Sequence, residues 1–380
     1  MKGGWSEVEL GELLSSRTEV CSIVPEQQYQ EVTVSLWGKG TRLRRKVSGS
    51  EIASQVRNVA RTGDFIVSKI DARNGAYGFI PSELDGAVVT NDFPLFGVLE
   101  ERIHPRWMYW VCRSKFFVDL CRSASEGTTN RVRLKESKFA RMRIPLPPLP
   151  EQQRIAAHLD AIESSLTRAQ KLREKQEAEL QAALRSAFHI IEAKADWVEM
   201  SKVAPLVRRE VAIDPEASYP ELGIRSFGRG TFHKPPVLGM ETTKRIFEIH
   251  AGDLVFSNVF AWEGAIAVAQ PVDHGRFGSH RFISCVCDST RVLPDYLQFY
   301  FLTPDGLEKI GKASPGGAGR NRTLGIEKLA EIIVPIVPLA TQIEFKKLLD
   351  LQTRIRADAV QASQRTTALL PSLLDRIFNS

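Results

Sequence analysis

The sequence predicts an α+β protein built as a pseudo-twofold repeat: two similar mixed α/β domains, each followed by a long helix. Three observations predict it. Residues recur at one shared offset: Gly63, Asp64 and Ser68 match Gly252, Asp253 and Ser257, 189 positions on. Gly75 and Gly264, Gly86 and Gly275, Phe93 and Phe282, Pro105 and Pro294, Gly127 and Gly316, Arg131 and Arg320, and Arg133 and Arg322 share that offset. A repeat of this kind is sought first, because missing it mistakes the whole architecture. Second, a proline-rich lead-in occurs twice, at Ile144–Pro150 and Val334–Pro338, each followed by helical 3/4 spacing. Third, short β-rich runs punctuated by glycine and proline fill the stretch before each lead-in.

Length and composition set the frame. At 380 residues the chain is too long for one ordinary core and points to two or three domains. Apolar residues make up 43% and charged residues 25%, as in a soluble globular protein. No apolar run approaches the roughly 18 residues needed to span a bilayer. The start, Met1-Lys2-Gly3-Gly4-Trp5, lacks the apolar core of a signal peptide, so the expectation is cytoplasmic, with no membrane partner. Five cysteines without a CxxC pair read as free thiols of a reducing compartment. A net charge of +6 permits a polyanion partner without demanding one.

In chain order, residues 1–144 form the first mixed domain. Asp64–Ile70 is a short strand, Gly75 and Gly78 mark turns or bulges, and Val88-Val89 and Phe93–Leu99 continue the sheet. His104-Pro105 opens a helix whose Trp107, Trp110 and Val111 read as core. Residues 145–192 are the lead-in and first long helix. Four prolines in six positions make the lead-in stiff and non-helical. After Pro150 neither glycine nor proline returns until Pro205. Ile155, Leu159, Ile162, Leu166, Ala169, Leu172, Leu180 and Leu184 mark the helix face. Residues 193–334 repeat the domain, with strands at Asp253–Val259 and Phe282–Cys287 and a helix opened by Leu293-Pro294, carrying Tyr296, Leu297, Tyr300 and Phe301. Residues 335–380 repeat the lead-in and helix. Thr341 and Glu344 have capping-box spacing, and a heptad runs through Phe345, Leu348, Gln352, Ile355, Ala359, Ala362, Thr366, Leu369 and Leu373.

After each short helix comes a small, polar, basic loop: Ser125–Arg133 and Ser314–Thr323. Small residues let backbone approach a partner, and arginines fork onto phosphate or guanine edges. Asn130, Arg131 and Arg133, with Arg320, Asn321 and Arg322, are therefore the candidate DNA contacts. Lys39, Arg42, Arg44 and Arg45 form a denser basic run suited to phosphates.

Catalytic motifs do not convince. Gly306–Lys312 fits GxxxxGK, but Ala313 stands where magnesium coordination needs Ser or Thr, and the preceding segment looks helical. Phe227-Gly228-Arg229-Gly230 is similar to the cofactor loop of methyltransferases, yet no Asn-Pro-Pro-Tyr-like motif follows, so it reads as a turn. His274 and His280 lack further zinc ligands, and Cys285 and Cys287 read as buried thiols. The expectation is a non-catalytic reader with no catalytic residue, metal or cofactor of its own.

The Pro145–Gln152 lead-in, the helix after it and the domain–helix–domain–helix order resemble the specificity subunit of type I restriction-modification enzymes. In the second copy Ala340-Thr341-Gln342 stands where Pro150-Glu151-Gln152 stands in the first. The resemblance implies two target-recognition domains, each reading one half of a split site in double-stranded DNA. It implies two spacer helices packed antiparallel as a coiled coil. It also implies methylation subunits that dock on the helices and hold S-adenosylmethionine, and restriction subunits that join them. Two similar units read two half-sites as a dimer would, and a helical pair would serve as a ruler for the gap. The alternatives are a pseudo-symmetric scaffold that binds only protein and an enzyme whose site is assembled from loops.

Overall fold

The computed structural model describes residues 5–127, 132–316 and 322–379. The chain divides into two compact units: residues 1–173 with 359–380, and residues 174–358.

In the first unit, strand Ser6–Glu9 pairs antiparallel with Arg143–Leu146, placing Pro145 opposite Glu7. A two-stranded ribbon suits proline, which has no N–H to give a further neighbour. A four-stranded antiparallel sheet follows the order Leu14–Arg17, Leu95–Val98, Phe65–Val67, Tyr77–Phe79. A five-stranded sheet follows the order Val20–Ser22, Val56–Val59, Val88–Val89, Gln28–Val34, Thr41–Ser48. Its last two strands form a long hairpin, and Glu31 makes one parallel bridge to Val88. Helices Pro105–Cys112 and Lys115–Ser123 close the core, with Trp107, Trp110, Val111 and Phe117 fully buried.

The second unit repeats this order. Asp196–Glu199 pairs with Ile333–Ile336. The four-stranded sheet runs Leu206–Val207, Phe282–Cys285, Leu254–Ser257, Ile266–Val268. The five-stranded one runs Glu210–Val211, Ile246–Ile249, Arg276–Ser279, Ser218–Ile224, Thr231–Leu238. Helices Pro294–Phe301 and Pro304–Lys312 complete it. Gly306–Lys312 is thus helical, which no phosphate-binding loop is. Burial pushes the Cys285 and Cys287 thiols up to about 12, so they stay protonated at neutral pH.

The long helices span Leu149–Glu192 and Leu339–Phe378. Pro150 falls within the first helical turn, where its missing N–H costs nothing, so the non-helical lead-in is two residues shorter than the proline pattern suggests. The second helix likewise starts ahead of Thr341, whose N–H already donates to Pro338 O at 2.9 Å, and Glu344 pairs with Lys347 instead of capping. Each start is locked by a buried glutamine. Gln152 Oε1 accepts from His104 N at 2.8 Å, while Nε2 donates to Pro147 O at 2.8 Å and Arg102 O at 3.3 Å. Gln342 does the same with Leu293 N, Val337 O and Arg291 O at 2.8, 2.8 and 2.9 Å.

Each unit holds a segment of both helices, running antiparallel. In the second unit Phe188 meets Phe345 while Glu177 meets Arg356. In the first, Asp160 binds Trp110, whose neighbour Trp107 packs on Phe378, and Arg173 reaches Thr366. Leu184 and Phe188 are buried in the second core; Leu374 and Phe378, 190 positions on, are buried in the first. The helix faces differ from expectation at three places. Leu172, Leu348 and Leu369 are exposed, and Arg173, Leu349 and Leu370 take the inward positions. Arg173 continues the 4/3 alternation of Ile155, Leu159, Ile162, Leu166 and Ala169, which Leu172 breaks by one residue, whereas Leu349 and Leu370 lie one residue past the heptad positions, as a helix of 3.6 residues per turn allows. Among the described residues no helix is long and apolar enough to cross a membrane.

Candidate nucleic-acid interface

The outer strand of the first-unit hairpin, Thr41–Ser48, is exposed from Arg42 through Lys46, so its cations face solvent on both sides of the strand. Val32, Val34 and Val47 are buried, and Lys39, Arg42, Arg44, Arg45 and Lys46 are exposed. Arg45 Nε donates to Glu31 Oε2 at 2.8 Å, and Arg44 lies 3.9 Å from the same carboxylate. Lys39, Arg42 and Lys46 make no ion pair among the described residues. The hairpin therefore leaves net positive charge for an outside anion.

The two basic loops are anchored alike. Leu134 N donates to Lys69 O at 2.7 Å, and Leu324 N to Asn258 O at 2.8 Å. Each loop thus returns beside a short 3-10 turn, Ala72–Asn74 in one unit and Ala261–Glu263 in the other. Arg133 binds Asp92 at 2.6 Å, which neutralises it in part and ties down the loop's end. The Arg322 guanidinium stands 5.4 Å over the Trp262 ring. Asn130, Arg131, Arg320 and Asn321 lie outside the described residues. The same two turns also carry the tips of the long hairpins. Trp37 N donates to Asn74 O and Phe227 N to Glu263 O, both at 2.8 Å. The hairpin tips and the ends of the basic loops are thus anchored within a few residues of each other, between Lys69 and Asn74 in one unit and between Asn258 and Glu263 in the other. Trp37 and Phe227 were not among the candidate contacts, although Trp37-Gly38-Lys39-Gly40 and Phe227-Gly228-Arg229-Gly230 lie 190 positions apart, as do the two proline lead-ins.

The second hairpin is anchored on a buried carboxylate. Asp273 accepts from Thr231 Oγ1 at 2.8 Å and sits 2.9 Å from His233 Nε2. Burial alone would raise this carboxyl, but hydrogen bonds from Gln270 N, Thr231 and His233 outweigh it and hold it below its usual range.

Residues 2–180 match the family model described as the type I restriction modification DNA specificity domain. The first half of the chain is therefore similar to the type I restriction-modification DNA specificity domain. The chain also resembles solved structures over its whole length. The crystal structure of the HsdS subunit from Thermoanaerobacter tengcongensis is 19% identical, with a TM-score of 0.61, covering 100% of this chain and 97% of that one. A chain solved in work on complex assembly and conformational transition of the type I R-M system is 21% identical, with a TM-score of 0.69, covering 99% and 98%. At such identities the likeness concerns the fold. No curated protein matches the sequence. The family model ends at residue 180, yet the second unit repeats the strand order of the first.

Proposed function

We propose that this chain is the DNA-recognition subunit of a type I restriction-modification enzyme and catalyses nothing itself. Its mixed domains, residues 1–144 and 193–334, each read one half of a bipartite duplex target. The long helices set the gap between half-sites and dock methylation subunits, which hold S-adenosylmethionine; restriction subunits join the assembly in the cytoplasm. The observation that carries this reading is one sheet order occurring twice in a chain whose first half matches the specificity-domain model. Two copies of a reader in one chain suit two half-sites, and the outward cations of the first hairpin suit phosphates.

The test is to sequence methylated sites in cells carrying the operon. A split motif with one modified adenine on each side is expected; an undivided motif would refute the two-reader arrangement. Arg131→Ala should weaken binding to the specific site and relax choice at one base pair of one half-site. A uniform loss on all DNA would reassign it to phosphate. A purified complex that shows no salt-dependent DNA binding would favour a protein-only scaffold, and methyl transfer or cleavage by the isolated chain would make it an enzyme.

A further inference from the structure

The hairpin tips read Ser35-Leu36-Trp37-Gly38-Lys39-Gly40 and Arg225-Ser226-Phe227-Gly228-Arg229-Gly230. Trp37 and Phe227 have φ of 63° and 62°, and no other non-glycine residue among those described has positive φ. The left-handed region is unfavourable for a bulky side chain, and it persists only where the surroundings impose it. Burial does not repay the strain, because the Trp37 and Phe227 side chains are 68% and 70% exposed. The same unfavourable choice, made twice with an outward ring, has no folding rationale.

The surroundings that impose it are also duplicated. Ser35 N donates to Gly40 O at 2.8 Å and Gly38 N to Gly75 O at 2.9 Å; Arg225 N donates to Gly230 O at 2.9 Å and Gly228 N to Gly264 O at 2.8 Å. A Cβ on Gly75 would sit 2.9 Å from Gly38 N and 3.0 Å from Trp37 Cα, so the seat under the first tip requires glycine. The tips are thus held by backbone contacts that leave both rings unused. A cation follows two residues after each ring, Lys39 and Arg229, and the Arg229 guanidinium lies 5.5 Å from the Phe227 ring centre.

A rigid outward ring with a cation beside it can wedge against a base step while the charge rests on phosphate. We infer that Trp37 and Phe227 are matched DNA-contact residues, one for each half-site, with Lys39 and Arg229 on the flanking phosphates. This rests on the DNA-reading function proposed above and assigns it to residues that the basic loops do not include.

The test uses the full chain co-expressed with its methylation subunits and a duplex bearing the motif found by methylation sequencing. W37N and F227N remove the ring but keep a residue that tolerates the left-handed backbone. Each should bind about 5- to 100-fold more weakly, the span that aromatic stacking on a base implies. Melting should be unchanged or raised, and W37F and F227W should retain binding. Should an asparagine variant fail to fold, W37G and F227G take its place. A loss below about fivefold in both units, with wild type binding its motif, overturns this inference alone. Failure of wild type to bind the duplex overturns the DNA-reading function as well.

Discussion

The two units agree inward and disagree outward. Each locks a helix start with one buried glutamine, takes a Leu-x-x-x-Phe pair from a helix end into its core, and bulges its long hairpin at the same place, after Glu31 in one and Pro220 in the other. Each buries an aspartate against an arginine, Asp64 with Arg17 and Asp253 with Arg209. The outer hairpin strands share almost nothing: Thr41-Arg42-Leu43-Arg44-Arg45-Lys46 in one, Thr231-Phe232-His233-Lys234-Pro235-Pro236 in the other. Packing constrains what faces the core, while a surface that meets a variable target is free to diverge. This is the pattern expected of one scaffold carrying two recognition surfaces.

The comparison can be broken most forcefully at the helix ends. Phe188→Ala and Phe378→Ala should each cost about 3–5 kcal/mol, since each deletes a buried ring; denaturant unfolding that shows a large loss for only one would end the equivalence of the two cores. Next come the glutamines. Gln152→Leu and Gln342→Leu leave a buried amide N–H and carbonyls without partners, for about 2–3 kcal/mol each, checked by thermal melting. A smaller effect should separate the units. Asp160 accepts from Arg106 Nε at 3.1 Å and Trp110 Nε1 at 2.8 Å, whereas its counterpart Asp350 pairs with Lys346, at 2.7 Å. Asp160→Asn should therefore destabilise by about 1 kcal/mol and Asp350→Asn by less than can be resolved.

That contrast carries a pH signature. Burial raises the Asp160 carboxyl, but hydrogen bonds from Arg106 and Trp110 together with the Arg106 charge hold it below its usual range. A depressed folded value gives stability that is present above the unfolded value, about 4, and lost as pH falls through the folded one. The deficit of Asp160→Asn should shrink on acidification, and a deficit constant with pH would assign it to packing. The subtlest difference is ionic. Replacing Arg42 and Arg44 with Gln should flatten the salt dependence of DNA binding by up to about two in slope, while replacing His233 and Lys234 should flatten it by about one or less.

Much of this organisation was legible in the sequence, for physical reasons. Glycines that must sit at positive φ, such as Gly75 and Gly264, and prolines that open helices, such as Pro105 and Pro294, cannot drift, so the repeat survives at those positions. The inward phase of the long helices was less legible. Leu348 and Leu369 follow an ideal heptad and Leu172 continues the apolar spacing, yet Arg173 and Glu177 occupy the facing side and pair there with Thr366 and Arg356. Apolar spacing cannot reveal a seam made of polar residues. The match of Gln152 to Gln342 was visible, but their role was not, because their partners are backbone groups some fifty residues away. The candidate interface was half legible. Basic residues on the hairpin stand outward, and Arg133 is tied to Asp92. The strained backbone of Trp37 and Phe227 leaves no compositional trace, since φ depends on what holds the loop.

One consequence concerns synthesis. The segment that seals the first unit, ending in Leu374 and Phe378, leaves the ribosome only after the whole of the second unit. The domain translated earliest must therefore wait, with part of its interior open, until the second unit and the segment after it have emerged. A premature stop anywhere in the final helix would cripple the half of the protein that was made first.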